Sequence, residues 1–352
     1  MATSLPARGW AAQAADAELA PISFARRAPH PQDVVIDIEW CGICHSDLHT
    51  ARNEWHNTVY PALPGHEIVG KVREVGAEVA GFAVGDTVGV GCIVDSCREC
   101  ASCKEGQEQY CPRGTYTYNS PDPDFEHATF GGYSSTIVVD QRFVLSIPDT
   151  LDPAAAAPIL CAGITMWSPL TLYGAGHGTK VGIAGFGGLG SMGIKLAKAL
   201  GAEVVAITRS AAKAEHARAA GADDVLVSSD PAELKRFRGK LDLIVDTIPV
   251  GHPVDPYLKL LGTGGALVIV GAIEPLSDGV DARLLVQRRR TLTGSLIGGL
   301  PETQKLLDFC GAHGITSDIE KIPVTEINAA YERMAAGQLD FRYVIDMSTL
   351  AP

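Results

Sequence analysis

The sequence has no long apolar run, no basic segment followed by an apolar core near its start and no excess of basic residues. Its longest apolar stretch, around Gly265–Val270, is strand-sized and far from the ~20 residues that span a bilayer. Residues 1–20 lack a basic segment followed by an apolar core, so we expect a cytoplasmic protein. Lys and Arg total 29 against 41 Asp and Glu, a formal charge of −12. This acidity argues against nucleic acid or an anionic membrane as the main partner.

Strong compositional bias is also absent. Apolar residues form 46% and charged residues 20% of the chain, as in globular proteins and unlike disordered ones. With 352 residues, and about 100–200 residues in a typical domain, we expect two or three domains with full-sized cores.

Cysteine is frequent and unevenly placed. Seven of the nine cysteines lie between positions 41 and 111, and the other two are Cys161 and Cys310. In a protein without an export signal, such clustering indicates metal binding or catalysis rather than a disulfide framework.

The two halves of the chain differ in pattern. Up to about residue 150, short strand-like runs are separated by turns, as at 34–38, 67–75 and 87–90. Beyond Pro153, strand-like and helix-like runs alternate, the strands at 180–184, 203–207, 241–245 and 266–270, the helices at 189–200, 211–220 and 232–237. This alternation predicts βαβ units and a parallel sheet with helices on both faces.

A dinucleotide-binding turn follows the first of these strands. Gly185, Gly187 and Gly190 form G-x-G-x-x-G, with Gly188 and Leu189 inside the motif. The first glycine permits the tight turn, the second lets the backbone approach a pyrophosphate, and the third lets helix and strand pack closely. The helix N-terminus then offers free N–H groups to the phosphates.

The end of the second strand favours NADP(H) over NAD(H). An NAD site places a carboxylate there for the ribose hydroxyl. Here the sequence offers a hydroxyl and basic groups instead: Thr208, Arg209, Ser210 and Lys213. A carboxylate would repel a 2′-phosphate, whereas these groups can bind one.

Four cysteines on one loop-rich segment indicate a structural zinc site. They are Cys97, Cys100, Cys103 and Cys111. Four thiolates make a closed tetrahedral cage, which suits structural zinc. An iron–sulfur cluster is the alternative, but the last spacing is seven residues rather than three and no second quartet is present.

A second, dispersed set could bind a catalytic metal. Two thiolates and one imidazole, from Cys44, His66 and Cys161, would leave zinc a vacant position for an oxygen ligand. The spacing alone leaves two alternatives open. Such distant residues are more often part of a core, and Cys41 is chemically as good a candidate as Cys44.

Several motifs together resemble the zinc-dependent, medium-chain alcohol dehydrogenases, and most closely their cinnamyl-alcohol-dehydrogenase-like branch, which includes NADPH-dependent aldehyde reductases. The matching stretches are Cys-Gly-Ile-Cys-His-Ser-Asp-Leu-His (41–49), Pro-Gly-His-Glu-Ile-Val-Gly (64–70), the cysteine quartet, Leu-Cys-Ala-Gly-Ile-Thr (160–165) and Gly-Phe-Gly-Gly-Leu-Gly (185–190). The resemblance covers nearly the whole chain.

The resemblance implies roles for individual residues. Cys44, His66 and Cys161 would bind catalytic zinc, and Cys41 would not. Four residues would serve catalysis around the metal: Glu67 approaching it, Asp47 orienting the imidazole ligand, and Ser46 and His49 relaying a proton by way of the nicotinamide ribose. Further cofactor contacts would come from Thr165 beside the nicotinamide and from His45 and Arg342 at the pyrophosphate. Substrate-pocket positions would be Trp55, Met166, Trp167, Leu296 and Ile297.

The implied architecture is a GroES-like β-rich catalytic domain, residues 1–152 and 297–352, holding both zinc ions. A Rossmann NADP-binding domain, residues 153–296, would lie between these segments in sequence, with the active site in the interdomain cleft and a homodimer formed through the strand near 291–297. The implied activity is NADP(H)-linked interconversion of primary alcohols and aldehydes, aromatic or apolar. Two alternatives are a zinc-independent quinone or enone reductase and a non-catalytic protein that binds NADP(H) and zinc.

Overall fold

The computed structural model describes residues 4–122, 127–271, 274–337 and 341–350. It divides into two compact units. The first unit comprises Met1–Cys161 and Gly298–Pro352, and the second comprises Ala162–Ile297. Strands predominate in the first unit, and strands alternate with helices in the second.

Within the described residues, the strands are β1 (Leu5–Ala11), β2 (Ala20–Arg26), β3 (Asp33–Gly42), β4 (Ile68–Val75), β5 (Thr87–Val90), β6 (Ile93–Asp95), β7 (Thr115–Tyr116), β8 (Thr136–Asp140), β9 (Leu145–Ser146), β10 (Lys180–Ala184), β11 (Glu203–Thr208), β12 (Asp224–Val227), β13 (Leu241–Asp246), β14 (Leu261–Ile269), β15 (Thr291–Gly294), β16 (Ile319–Pro323) and β17 (Arg342–Asp346). The α-helices are α1 (His45–Ala51), α2 (Ala101–Lys104), α3 (Pro153–Ala156), α4 (Ala162–Leu172), α5 (Gly188–Ala199), α6 (Ala214–Ala219), α7 (Pro231–Arg236), α8 (Asp255–Leu260), α9 (Ala282–Val286), α10 (Leu300–His313) and α11 (Ile327–Ala335). No single helix in these ranges is long and apolar enough to cross a bilayer, although Pro153–Leu160 and Ala162–Leu172 pass that test when taken as a pair.

The main sheet of the first unit has the order β16-β17-β3-β4-β5-β9, and β8 also pairs with β3. Its central strands β3 and β4 are antiparallel, with Cys41 opposite Ile68. Helix α1 begins just after β3, and His66 and Glu67 lie just before β4. The pairing of β3 with β4 therefore brings two chain segments with predicted site residues to one end of the sheet.

The second unit contains a six-stranded sheet of order β12-β11-β10-β13-β14-β15. Every pair in it is parallel. This strand order is that of a doubly wound dinucleotide-binding fold, in which ligands bind at the carboxyl ends of the strands where the order reverses. The predicted Rossmann fold is confirmed, and the glycine turn follows β10 at that reversal point.

Apolar side chains fill the core of the second unit between sheet and helices. Residues of β10 and β13 such as Val181, Ile183 and Ile244 are at most 1% exposed. Strands buried on both faces need continuous apolar runs, which is the pattern seen in the sequence. The predicted strand at 180–184 has the bounds of β10, whereas β14 begins at Leu261, five residues before the predicted start.

Candidate active site

Four buried side chains of the first unit bring their ligand atoms together, and we call them the mixed cluster: Cys44, His66, Glu67 and Cys161. The four ligand atoms lie within 4.8 Å of one another, and the two Sγ atoms are 4.0 Å apart. Hydrogen bonding with Cys161 lowers the pKa of the Cys44 thiol well below its ordinary value. Thiolate, imidazole and carboxylate are all ligands of Zn²⁺ in proteins, so the donor set fits zinc.

Cys41 lies outside the mixed cluster. Its backbone pairs with Ile68 on one side and Ile345 on the other, within the sheet. Its Sγ is 3.7 Å from the carbonyl oxygen of Gly42. Cys44, by contrast, follows the strand as the N-cap residue of α1. Backbone geometry therefore separates two cysteines that the sequence spacing alone left equivalent.

Asp47 orients the imidazole of the mixed cluster. The Nδ1 atom of His66 is 3.1 Å from the Oδ1 atom of Asp47. Burial lowers the pKa of His66, but Asp47, together with Cys92 and Cys44, raises it well above its ordinary value. A carboxylate only accepts hydrogen bonds, so Nδ1 carries the hydrogen and Nε2 is left for a metal.

Glu67 lies between the other three members of the mixed cluster and a buried arginine. Its Oε1 atom is hydrogen-bonded to Nη2 of Arg342, whereas its Oε2 atom is buried and has no hydrogen-bond partner among the described residues. Burial raises the pKa of Glu67 to about 7, although Arg342 opposes the shift. An unpartnered carboxylate oxygen beside two thiols suits a cation. Arg342, expected at a pyrophosphate, is 7% exposed and pairs with Glu67.

The predicted proton-relay residues lie on α1. Ser46 Oγ is 3.7 Å from the Cys44 sulfur. His49 is buried, its Nδ1 is hydrogen-bonded to Glu54, and its Nε2 has no partner among the described residues. The sequence analysis did not identify Glu54 as the partner of His49. The only feature of the sequence that points to Glu54 is its position five residues after His49. His45 begins the helix and is exposed.

The other four predicted zinc ligands also converge, and we call them the four-cysteine cluster: Cys97, Cys100, Cys103 and Cys111. The Sγ atom of Cys103 lies 3.9 Å from that of Cys97 and 3.5 Å from that of Cys100. Backbone N–H groups point at the sulfurs, including that of Cys100, 3.4 Å from Cys97 Sγ. Hydrogen bonds from the backbone of Glu99 and Cys100 lower the pKa of Cys97 to about 6. Thiolates held in this way fit a closed structural zinc site.

The glycine turn has the shape needed for a dinucleotide. Gly185 has a φ of 92°, which favours glycine, and a Cβ on Gly190 would lie 2.1 Å from the Gly185 carbonyl oxygen. Gly187 is the N-cap of α5, and a Cβ there would meet no atom within 4 Å. Gly188 and Leu189 open the helix. The open space over Gly187 and the helix N-terminus fit a pyrophosphate.

The residues predicted to bind a 2′-phosphate lie at the end of β11. Thr208 is buried, and its Oγ1 accepts a hydrogen bond from the Ser210 backbone at 3.3 Å. Arg209 is exposed. Lys213 Nζ lies 3.3 Å from the carbonyl oxygen of Phe186, within the glycine turn. The structure therefore places the lysine beside the turn.

Helix α4 carries three of the predicted contact residues. Thr165 and Trp167 are 7% and 9% exposed, and Met166 is fully buried. A Cβ on Gly193 of α5 would meet Met166 Cε at 2.3 Å. Met166 is therefore a core residue of the second unit.

The remaining predicted pocket residues are accessible. Trp55 and Leu296 are 37% and 43% exposed. The Trp55 ring lies 5.5 Å from that of His49, next to the relay residues. Ile297 is half-buried and has a positive φ of 34°.

Two family models match the chain. The alcohol dehydrogenase GroES-like domain matches residues 30–149, and the zinc-binding dehydrogenase domain matches residues 188–312. The first match contains Cys44, His66 and the four-cysteine cluster, and the second begins within the glycine turn.

Known proteins are similar over almost the full length. The aldehyde reductase YahK of Escherichia coli (strain K12) is 51% identical over 340 residues, covering 96% of this chain and 97% of that protein. A cinnamyl alcohol dehydrogenase structure from Sorghum bicolor has a TM-score of 0.94 and 44% identity, covering 97% of this chain and 98% of that one. The structure of CAD from Helicobacter pylori complexed with NADP(H) has a TM-score of 0.92 and 42% identity, with coverage of 98% and 99%.

Proposed function

The chain belongs to the zinc-binding alcohol dehydrogenases, and from that membership we propose a role in the reaction for each residue of the site. It is a zinc-dependent, NADP(H)-linked alcohol dehydrogenase or aldehyde reductase that acts on small alcohols and aldehydes. The observation that carries the residue assignments is the mixed cluster, where two thiols, an imidazole and an unpartnered carboxylate oxygen meet in a buried site.

Cys44, His66 and Cys161 would hold the catalytic zinc, and the four-cysteine cluster would hold the structural zinc. When bound, the catalytic zinc supplies a Lewis acid for the carbonyl oxygen and NADPH supplies the hydride. Glu67 keeps negative charge beside the metal, and Arg342 balances it through their ion pair. Asp47 fixes the ring of His66 so that Nε2 faces the metal.

Ser46 and His49 would deliver the proton that turns the reduced product into an alcohol. Ser46 Oγ lies near the Cys44 sulfur and can hold a proton next to the reacting oxygen. His49 has its Nδ1 anchored by Glu54, which leaves Nε2 to exchange the proton. The side chain of Glu54 is 41% exposed, so it connects the relay to solvent.

The second unit would bind NADP(H) through the glycine turn. The N–H groups at the start of α5 would face the pyrophosphate. The 2′-phosphate would be bound by hydroxyl and cationic groups at the end of β11: Thr208, Arg209, Ser210 and Lys213. Thr165 would contact the nicotinamide, and His45, exposed at the start of α1, would add positive charge near the phosphates. With NADPH as donor, we assign aldehyde reduction as the working direction.

The substrate range would be aromatic and medium-sized apolar aldehydes. Trp55 and Trp167 offer flat apolar surfaces on which a ring can stack. Leu296 and Ile297 would add aliphatic surface. Trp55 lies beside His49, so a substrate in contact with it would be close to the relay.

We place each activity in one unit and propose a dimer. The first unit would be the catalytic domain, with both zinc ions, and the second the cofactor domain.

Strand β15 ends its sheet and pairs only with β14 among the described strands, so a second copy could extend the sheet there. A cytoplasmic location would keep the thiols of both clusters reduced.

An aldehyde panel with metal analysis tests this function. We expect about two zinc ions per chain, one for each cluster. Benzaldehyde and cinnamaldehyde should support NADPH oxidation that a chelator abolishes and added zinc restores. Turnover of enones after complete zinc removal would instead show a zinc-independent reductase. Binding of NADPH and zinc without turnover of any aldehyde would show a non-catalytic protein.

The relay predicts a specific effect for His49→Asn. The asparagine amide can still reach towards Glu54, but no atom replaces Nε2, so kcat for aldehyde reduction should fall about 100-fold. Steady-state kinetics with saturating NADPH measure the change. His56→Asn is the matched control, because His56 is exposed on the same segment and its φ of 58° accommodates asparagine. Wild-type kcat in the His49 variant would exclude the proposed relay.

A further inference from the structure

Asp47 is a fully buried carboxylate whose hydrogen bonds reach two of the proposed metal ligands. Its Oδ1 atom accepts from the backbone of Gly65 at 3.0 Å and from Nδ1 of His66 at 3.1 Å. Its Oδ2 atom accepts from the backbone of Cys44 at 2.8 Å and from the hydroxyl of Tyr133 at 3.1 Å. The side chain is 0% exposed. One carboxylate therefore fixes Cys44 and His66 relative to each other.

Asp47 accepts hydrogen bonds from four donors, and Tyr133 is the one that is most distant from it in sequence. It lies 86 residues from Asp47 and is itself 0% exposed. Its backbone N–H donates to the carbonyl oxygen of Pro64 at 3.0 Å, and that of Gly132 donates to Gly65 at 2.8 Å. The segment before β8 is thus joined to the segment that precedes His66.

Small residues make this close approach possible. Gly65 has a φ of 104°, and a Cβ on it would lie 2.7 Å from Tyr133 Cδ1. A Cβ on Gly131 would lie 2.4 Å from the carbonyl oxygen of Pro64. The backbone is therefore arranged so that the Tyr133 ring reaches past glycine to Asp47.

We propose that Tyr133 is a positioning residue for the catalytic zinc, acting through Asp47 to slow the loss of the metal. This inference rests on the proposed zinc site at Cys44, His66 and Cys161. A buried carboxylate with an unmet acceptor is costly, because no solvent can replace the missing donor. Without the phenol, Oδ2 keeps only the hydrogen bond from the Cys44 backbone. Asp47 would then be held less firmly and would align the two ligand segments less well.

Zinc release from the holoenzyme tests the proposal. Zinc-loaded protein is mixed with a chromogenic chelator, and the release is followed as two phases, one for each cluster. Tyr133→Phe keeps the buried ring and should speed release from the mixed cluster about tenfold, as loss of a partner behind a metal ligand does. Release from the four-cysteine cluster should not change, which also shows that the variant is folded. Equal release rates from the mixed cluster in both proteins would overturn the proposal.

Tyr331→Phe is the matched control. The Tyr331 hydroxyl is 3.5 Å from that of Tyr133 and is also buried, but it lies one step further from Asp47. We expect its zinc release to stay within about twofold of wild type. A change as large as that of Tyr133→Phe would attribute the effect to general packing and would contradict the specific role of Tyr133.

A double-mutant cycle with Asp47→Asn shows whether Tyr133 acts through the carboxylate. If it does, adding Tyr133→Phe to Asp47→Asn should change zinc release less than about twofold. A full tenfold additional effect would mean that Tyr133 acts by another route. Failure of the proposed function gives a different result, because wild-type protein would then release zinc from the four-cysteine cluster alone.

Discussion

Replacing Cys161 by alanine should remove one of the two zinc ions and almost all aldehyde reduction. Cys161 supplies one of the two sulfurs of the mixed cluster. A metal acting as a Lewis acid contributes several kcal/mol to the transition state, and each 1.36 kcal/mol is a factor of ten. We therefore expect kcat/KM to fall by about 1,000-fold or more, measured with NADPH and benzaldehyde alongside zinc content.

Cys41→Ala is the control for this experiment. Cys41 is as buried as Cys161 and close in sequence to Cys44, but it lies outside the mixed cluster. The variant should lose stability through the small cavity it creates and should keep both zinc ions. Loss of zinc from Cys41→Ala, with retention in Cys161→Ala, would contradict the assigned ligand set.

Replacing Thr208 by aspartate should reverse the preference between NADPH and NADH. An aspartate at the end of β11 can still accept the hydrogen bond from the Ser210 backbone. The negative charge of the aspartate would repel a 2′-phosphate. Its carboxylate would instead accept a hydrogen bond from the ribose hydroxyl of NADH. We expect kcat/KM for NADPH to fall about 100-fold, since the change removes a hydrogen bond and adds a like charge near the phosphate.

Thr208→Asn separates charge from shape in this test. Asparagine has nearly the size of aspartate and can accept the same backbone hydrogen bond, but it is neutral. It should keep NADPH as the preferred donor, with a loss of less than about tenfold. If the neutral and charged variants lose NADPH activity equally, Thr208 does not lie at the 2′-phosphate.

Local motifs could be predicted from the sequence because their residues act within one turn or loop. The glycine turn needs only a strand, a turn and a helix in succession, and the structure has all three between Lys180 and Ala199. The four-cysteine cluster is equally local, since its members span 97–111. In both places neighbouring residues determine the geometry, so spacing is informative.

The mixed cluster and its supports depend on long-range pairing, which spacing does not encode. The choice of Cys44 over Cys41 depends on where β3 ends and α1 begins. Tyr133 reaches Asp47 from 86 residues away, through backbone pairing with the 64–65 segment. Its only sequence signal was the Gly-Gly pair before it. The strands β1 and β2, which pair over Leu5–Arg26, also carried no motif and were not predicted.

Anomalous diffraction at the zinc edge, on crystals with NADPH and an aldehyde, tests the central claim most directly. We expect one peak among the four-cysteine sulfurs and a second one bonded to Cys44, Cys161 and Nε2 of His66, with a substrate or water oxygen in the fourth position. No second peak in zinc-loaded protein, or a fourth position occupied by Glu67 even with aldehyde present, would contradict it.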